Sequence, residues 1–532
     1  MYCNNKWIIA KSKEEFISLN PGMLNRHGVI TGASGSGKTV SLKVIAETLS
    51  SAGIPSIVMD IKGDLSGCAK VGEMNENIEK RVTKLGLEEI NYELKKFPIR
   101  FWDVYGESGH PIRLTVSDMG ATLLSIILGL SEAGESLLSI AFKIAEDRKD
   151  PIITLGDLKV VLQIIAENAQ KLSVQYGNIN PVSINTIIRK ITVLECDNGE
   201  RLFGKPNLDL NDLMKTTEES GSGYINIIEC RELIKTPTLY ASLLVWLLTA
   251  FYERMPEVGD LDKPKAVLFL DEAHLIFSEM NKEVIKKITQ IIKLIRSKGI
   301  SVFFISQSPA DIPNEILGQL GNRIQHCLRA YTPQELKAVK TAASTLRENP
   351  KIDTEKAILE LGTGEALVSF VDVEGMPSVV ELAKILPPQS YMGEITKEEM
   401  DNVISNSIME TKYRELNNSE STYAKLTTIK EEKIKNEEAA KLAKEQAKKE
   451  EEERKLKEKQ KKEEEKAKRE KERKRKNSIG YKLGKKAVDK TVNKALNKGV
   501  KALFGETTKS NKKKSSSVGE TLAKEVIKNL FK

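Results

Sequence analysis

The sequence predicts an α/β fold built on a mostly parallel sheet covered on both faces, and three observations point there. Short apolar β-type runs at 28–31, 56–60, 224–229, 266–271 and 301–306 alternate with stretches of helical spacing. A glycine-rich turn joins the first run to a helical pattern over 40–49. The fourth run, Val267-Leu268-Phe269-Leu270, ends in two carboxylates, Asp271 and Glu272.

The turn comes first, because it fixes the chemistry. Gly32-Ala33-Ser34-Gly35-Ser36-Gly37-Lys38-Thr39 fits G-x-x-x-x-G-K-[ST] between a strand and a helix, the context of a phosphate-binding P-loop. Glycines let the backbone turn so that successive N–H groups face the phosphates, and the helix N-terminus adds partial positive charge. Residues 32–39 are therefore the candidate ATP-binding residues. Lys38 is expected to neutralise the β- and γ-phosphates and Thr39 to ligate Mg²⁺.

A P-loop calls for an acidic residue at the end of a nearby strand. Asp271 suits the magnesium role and Glu272 the base that activates the attacking water. Asp271-Glu272-Ala273-His274 also spells a helicase box, but no Q-x-x-G-R-x-G-R motif follows, so that label is rejected. Gln307 ends the 301–306 run; if that strand lies between the P-loop strand and the Asp271 strand, Gln307 is placed to sense the γ-phosphate. Arg323 and Arg329 sit in a short apolar run downstream. Either is a candidate arginine finger for a neighbour's ATP, and a sheet-edge salt bridge is the alternative for each. This pattern predicts an additional-strand, RecA-like P-loop NTPase core.

Six segments follow along the chain. Residues 1–115 form the first part of the ATPase core, with positions 1–27 preceding the first predicted strand. The stretch 116–222 reads as a helical insertion, with helical patterns at 121–130, 137–145, 155–169 and 182–194. The core resumes over 223–395 and closes with a hairpin, 366–372 and 378–385. A connector, 396–429, leads to a Lys/Glu-rich exposed helix, 430–476, about 70 Å long at 1.5 Å per residue if fully helical. It lacks a sustained apolar heptad. The segment 477–532 is a basic amphipathic or disordered tail.

Composition narrows the function classes. The formal charge of +8 divides unevenly, with 48 basic and 56 acidic residues in 1–429 and 14 Lys against 4 acids in 477–532. The folded part is mildly acidic, so any DNA contact there needs a local stripe of Lys and Arg. The tail is suited to a protein partner, an anionic membrane surface or a nucleic acid. Five scattered cysteines without a C-x-x-C pair suggest free thiols in a reducing cytoplasm rather than a zinc site or disulfide framework. The longest greasy stretch, 239–252, is shorter than the roughly 20 residues of a spanning helix and reads as a buried core helix.

The residues also carry a resemblance. Asn25-Arg26-His27-Gly28 running into the P-loop, Asp60-Ile61-Lys62-Gly63-Asp64-Leu65, Phe101-Trp102-Asp103-Val104, Leu317-Gly318-Gln319-Leu320-Gly321-Asn322-Arg323 and Gly362-Thr363-Gly364-Glu365-Ala366-Leu367-Val368-Ser369 are similar to the bacterial YjgR-like family of HerA-like ATPases, within the HerA/FtsK superfamily. The likeness spans about residues 5 to 395. It implies a RecA-like core working as a hexameric ring, an arginine finger acting in trans, and DNA threaded through the centre. The β-barrel of archaeal HerA finds no room before the P-loop, and the FtsK membrane anchor and winged helix are not visible, so DNA pumping transfers as analogy of fold. Two functions compete: a DNA translocase or helicase-like ATPase, and an ATP-driven protein remodeller or membrane-peripheral scaffold. A small-molecule kinase lacks its lid-like Arg cluster.

Overall fold

The computed structural model describes residues 1–417 apart from 14 and 260, together with 449, 457, 459–461 and 463–470. Three short strands open the chain, β1 (Tyr2–Cys3), β2 (Lys6–Lys11) and β3 (Phe16–Leu19). The P-loop strand β4 (Gly28–Thr31) follows, then β5 (Ser56–Asp60), β6 (Ile99–Asp103), β7 (His110–Pro111) and β8 (Ile225–Glu229). The last five are β9 (Ala266–Leu270), β10 (Ile300–Ser306), β11 (Asn322–Gln325), β12 (Glu365–Ser369) and β13 (Glu381–Ile385).

They form one sheet in the order β1-β2-β13-β12-β11-β4-β10-β9-β5-β8-β6-β7, with β3 paired to β2. From β11 to β7 neighbouring strands are parallel, whereas β12, β13, β2, β3 and β1 extend the other side antiparallel. β10 lies between the P-loop strand and β9, the arrangement of an additional-strand RecA-like sheet.

Period-two burial explains why these runs are strands. Along β9, Ala266, Leu268 and Leu270 enter one hydrophobic core while Val267 and Phe269 enter another. β10 does the same, with Ile300, Val302 and Phe304 on one face and Phe303 and Ile305 on the other. A sheet filled on both faces must be covered twice. Helix α1 (Lys38–Ser51) covers one face through Leu42, Ile45 and Leu49. The helix Pro237–Arg254, buried continuously from Leu239 to Phe251, covers the other, as its apolar circumference requires. Gly28 makes the closest strand packing possible, since a Cβ there would stand 2.2 Å from the Phe303 ring.

After α2 (Glu76–Leu85), the helices α3 (Val116–Ile127), α4 (Glu132–Asp147), α5 (Leu155–Glu167), α6 (Ala169–Tyr176) and α7 (Pro181–Cys196) add their apolar faces to the second core. Thr115, Ser131, Thr154 and Asn180 cap α3, α4, α5 and α7 by accepting from first-turn N–H groups.

One expectation needs correcting, and one part of the sheet is new. β4 is not the first strand, because β1, β2 and β3 precede it and complete the antiparallel flank. Ahead of the segment 116–222 expected to be a helical insertion, the chain also contributes β6 and β7 at the far edge of the sheet. Charged residues hide β6 from an apolar pattern. Its Arg100 is nonetheless buried, donating to the Asp212 carbonyl at 2.6 Å and stacking 3.8 Å over the Tyr224 ring.

The chain divides into two units, Met1–Lys425 and Leu426–Lys532, and the sheet belongs to the first. Within the Lys/Glu-rich stretch the described positions 449, 457, 459–461 and 463–470 are helical and exposed. The rest of 430–476 and the whole tail 477–532 lie outside the described residues. All five cysteines are free thiols. Among the described residues no helix is long and apolar enough to cross a membrane.

Candidate nucleotide site

Parallel strands β4, β10, β9 and β5 end on one edge of the sheet, the usual place for a ligand in such a fold. The loop leaving β4 is glycine-dependent: Gly32, Gly35 and Gly37 have φ of 151°, 75° and 115°. It is stitched to its surroundings. Ala33 N donates to Cys327 O at 2.8 Å, and Gly364 N donates to Ser36 O at 3.1 Å. Ser34 and Gly35 at the crest are exposed, Lys38 is buried, and Thr39 is half-buried in the first turn of α1. The Lys38 ammonium donates to Gly32 O at 2.6 Å and Ala33 O at 3.1 Å.

His326, which follows β11, backs this loop. Its Nδ1 faces the Glu365 carbonyl at 2.9 Å and its Nε2 the Ser41 hydroxyl at 2.7 Å. A carbonyl only accepts, so Nδ1 carries the proton and Nε2 accepts from Ser41. Burial pushes the ring down to about 4, aided by Lys38 and Arg81 against the Glu365 hydrogen bond, and it is neutral at neutral pH. Arg81 donates to the Gly364 and Ile385 carbonyls at 2.7 Å, fixing the hairpin start behind the loop.

One strand beyond β10, Asp271 and Glu272 end β9, and both are buried. Glu272 caps the helix Ala273–Glu279 with left-handed backbone, φ 45° and ψ 47°, a conformation that costs a glutamate about 1 kcal/mol or more. Asp271 Oδ1 accepts from Glu272 N at 2.9 Å. Burial, with the neighbouring Glu272 charge, raises the Asp271 carboxyl to about 6, although Lys62 and Lys38 pull it down. Glu272 is held below the usual range: burial would raise it, but an ion pair with Lys62 and the nearby His274 and Lys38 outweigh that. Lys38 itself is lowered by burial and by Lys62, while Glu272, Asp271 and Asp311 oppose the shift. The P-loop lysine and both carboxylates thus act on one another electrostatically.

The residues fit a nucleotide with a divalent cation. Glu272 Oε2 lies 3.1 Å from His274 Nδ1 without hydrogen-bond geometry, leaving a buried carboxylate oxygen without a hydrogen bond. Such an oxygen needs a water or cation. Asp271, raised first by burial and further by the Glu272 charge, is drawn back down by the same addition of a cation.

The other candidates divide. Gln307 follows directly on β10 and is exposed beside the Ser306–Asp311 hydrogen bond. Arg323 is committed within its own chain, donating to the Leu320, Leu317 and Thr345 carbonyls. Its contacts are those of a structural staple, in place of either the finger or the salt bridge expected. Arg329 is exposed. His326, Arg81 and Lys62 were missed as site residues. Lys62 lay in plain view within the Asp60–Leu65 motif, whereas His326 and Arg81 come from distant segments with no local signature.

Comparisons with known proteins give the family. A family model described as Helicase HerA-like C-terminal matches residues 5–513. DNA double-strand break repair helicase HerA of Sulfolobus acidocaldarius is 21% identical over 389 residues, 71% of this chain and 68% of that protein. Its counterpart from Sulfurisphaera tokodaii is 23% identical over 395 residues, with the same coverage. Among solved structures, VirB4 of Thermoanaerobacter pseudethanolicus aligns at TM-score 0.46 and 15% identity over 74% of this chain and 98% of that one. The plasmid coupling protein TrwB bound to a non-hydrolysable GTP analogue aligns at TM-score 0.46 and 14% identity over 71% and 89%.

Proposed function

The chain belongs to the Helicase HerA-like C-terminal family of P-loop ATPases, and on this premise we propose that it is a ring-forming motor that couples ATP hydrolysis to translocation along DNA. The observation that supports this most directly is the mutual electrostatic reach of Lys38, Asp271 and Glu272 across β10. Residues 32–39 cradle the phosphates with backbone N–H groups, and Lys38 turns from its own loop carbonyls to the β- and γ-phosphates. Magnesium would be held by the Thr39 hydroxyl and, through water, by Asp271; when bound it supplies positive charge over the phosphate oxygens. Glu272 takes a proton as water attacks the γ-phosphorus, the bond to the β–γ bridging oxygen breaks, and ADP and inorganic phosphate leave. Gln307 senses the γ-phosphate, and Arg329 serves as the finger into a neighbouring subunit's site.

DNA as the track follows the HerA relatives, which are named as DNA repair helicases. Steady-state ATPase measured at low salt with and without double-stranded DNA tests it: the rate is expected to rise several-fold with DNA, and an unchanged rate rejects the track. Solution mass with ATP and Mg²⁺ is expected to report a hexamer. One observation favours a second reading, a protein-remodelling or membrane-peripheral ATPase: an acidic core, 48 basic against 56 acidic residues, carries a strongly basic tail. Deleting 430–532 discriminates, because loss of partner or vesicle binding with intact ATPase supports that reading and unchanged binding removes it.

A further inference from the structure

Lys62 lies two residues past β5 in a loop tied down by Asp60. Asp60 Oδ1 accepts from Lys62 N at 3.0 Å and Gly63 N at 2.8 Å, and Oδ2 from Leu65 N at 3.3 Å. The backbone at Lys62 is thereby fixed, while its four-carbon stem reaches to the end of the adjacent strand β9 and pairs with Glu272 Oε1. Lys62 also acts on Lys38 and Asp271. The two ammonium groups thus belong to segments that follow strands on opposite sides of β9, Lys38 after β4 and Lys62 after β5. They are not equivalent. Lys38 is bound by two carbonyls of its own loop, whereas Lys62 is held by the residue assigned as the base.

Exposure shows which partner can move. The Lys62 side chain is 36% exposed and that of Glu272 only 8%. An ammonium on a long stem at the mouth of the site can swing with little packing to undo. A carboxylate on a left-handed residue at a buried helix start has no such freedom. While the ion pair stands, one oxygen of Glu272 is occupied and its attraction for a proton is reduced.

We propose that Lys62 exchanges partners, pairing with Glu272 until the terminal phosphate of ATP draws it away, so that the base is released only when a third phosphate is present. This inference rests on the ATP-site reading above. A terminal phosphate brings more negative charge than one carboxylate and more acceptor oxygens, so it outcompetes Glu272 for the ammonium. ADP lacks that group and leaves the pair intact. Lys62 thus makes the site distinguish the two nucleotides, a task separate from the general phosphate grip of Lys38.

The test is nucleotide binding to the full chain with Mg²⁺, by calorimetry, for ADP and the β,γ-imido analogue of ATP. In Lys62→Met the analogue is expected to bind ~10-fold more weakly, the scale of one lost charge-assisted contact, with ADP within about twofold of the unaltered chain. Lys62→Arg, which keeps the charge, is expected to restore most of the preference. Equal weakening of both nucleotides would mean that Lys62 only shapes the loop, and no change would mean that it never meets the phosphate; either overturns the proposal. Should Lys62→Met unfold, as judged by thermal melting, Lys62→Gln carries the same comparison. An unaltered chain that binds neither nucleotide defeats the ATP-site reading itself, a result distinct from one that binds both and ignores Lys62.

Discussion

The two halves of the nucleotide site are built by different means. The proposed phosphate cradle is eight consecutive residues, 32–39, whose glycines set the turn and whose lysine bonds to carbonyls of the same loop. The acid pair is the opposite case, since the state of Asp271 and Glu272 depends on Lys62 from another strand, on burial, and on each other. A contiguous motif carries its own geometry, whereas a charged pair at a strand end takes its chemistry from its neighbours. The first kind of site is readable in sequence, and the second only in three dimensions.

Substitution separates the halves. Lys38→Ala is expected to remove nucleotide turnover through lost phosphate binding, while Glu272→Gln keeps ATP binding and lowers kcat by roughly 10²–10³-fold, the scale of a lost general base or transition-state contact. Equilibrium binding beside single-turnover hydrolysis checks both, and substantial turnover in Glu272→Gln would reject that residue as the base.

The two arginines sharpen the contrast. Arg329 is exposed, and the finger role proposed for it requires Arg329→Ala to lower kcat about 10²-fold with unfolding unchanged. Arg323→Ala is expected to leave three carbonyls short of a donor and cost about 2 kcal/mol of stability, measured by urea unfolding. If Arg323→Ala instead spares stability and stops turnover, the assignments are reversed.

The remaining effect concerns Asp60 and is read as a pH slope. Burial, opposed by the Gly63 and Leu65 hydrogen bonds and reinforced by Asp271 and Glu229, raises its carboxyl from 3.8 to about 7. Between those values the folded chain holds a proton that the unfolded chain has released, so this group's contribution to stability falls as pH rises through the window. Asp60→Asn, which retains an acceptor for the loop, is expected to remove that slope, worth on the order of 4 kcal/mol across the window. Comparing unfolding of the two proteins from pH 4 to pH 7 isolates it from His27 and His326, which both titrate at about 4 and slope the other way.

Much of the architecture was legible. The runs at 28–31 and 56–60 are strands at those bounds, and the hairpin and the buried helix stand where apolar spacing put them. β2 and β6 were not, for a shared reason: each carries charged residues in a short strand, Lys6 and Lys11 in one, Arg100 and Asp103 in the other. Their place in the sheet is decided by partners far along the chain. Arg323 stayed open in the sequence because a lone arginine on a strand reads the same whether it faces a ligand or a set of backbone carbonyls. His326 escaped because nothing beside it in sequence announces Ser41 and Glu365 as its partners.

His326 has one more consequence. With Gly364 bonded to Ser36 and the imidazole wedged between Ser41 and Glu365, the nucleotide seat and the root of the β12–β13 hairpin are bolted to the same post. A displacement of the hairpin root is therefore expected to pull on the loop proposed to hold the phosphates, and a displacement of that loop to pull on the hairpin root.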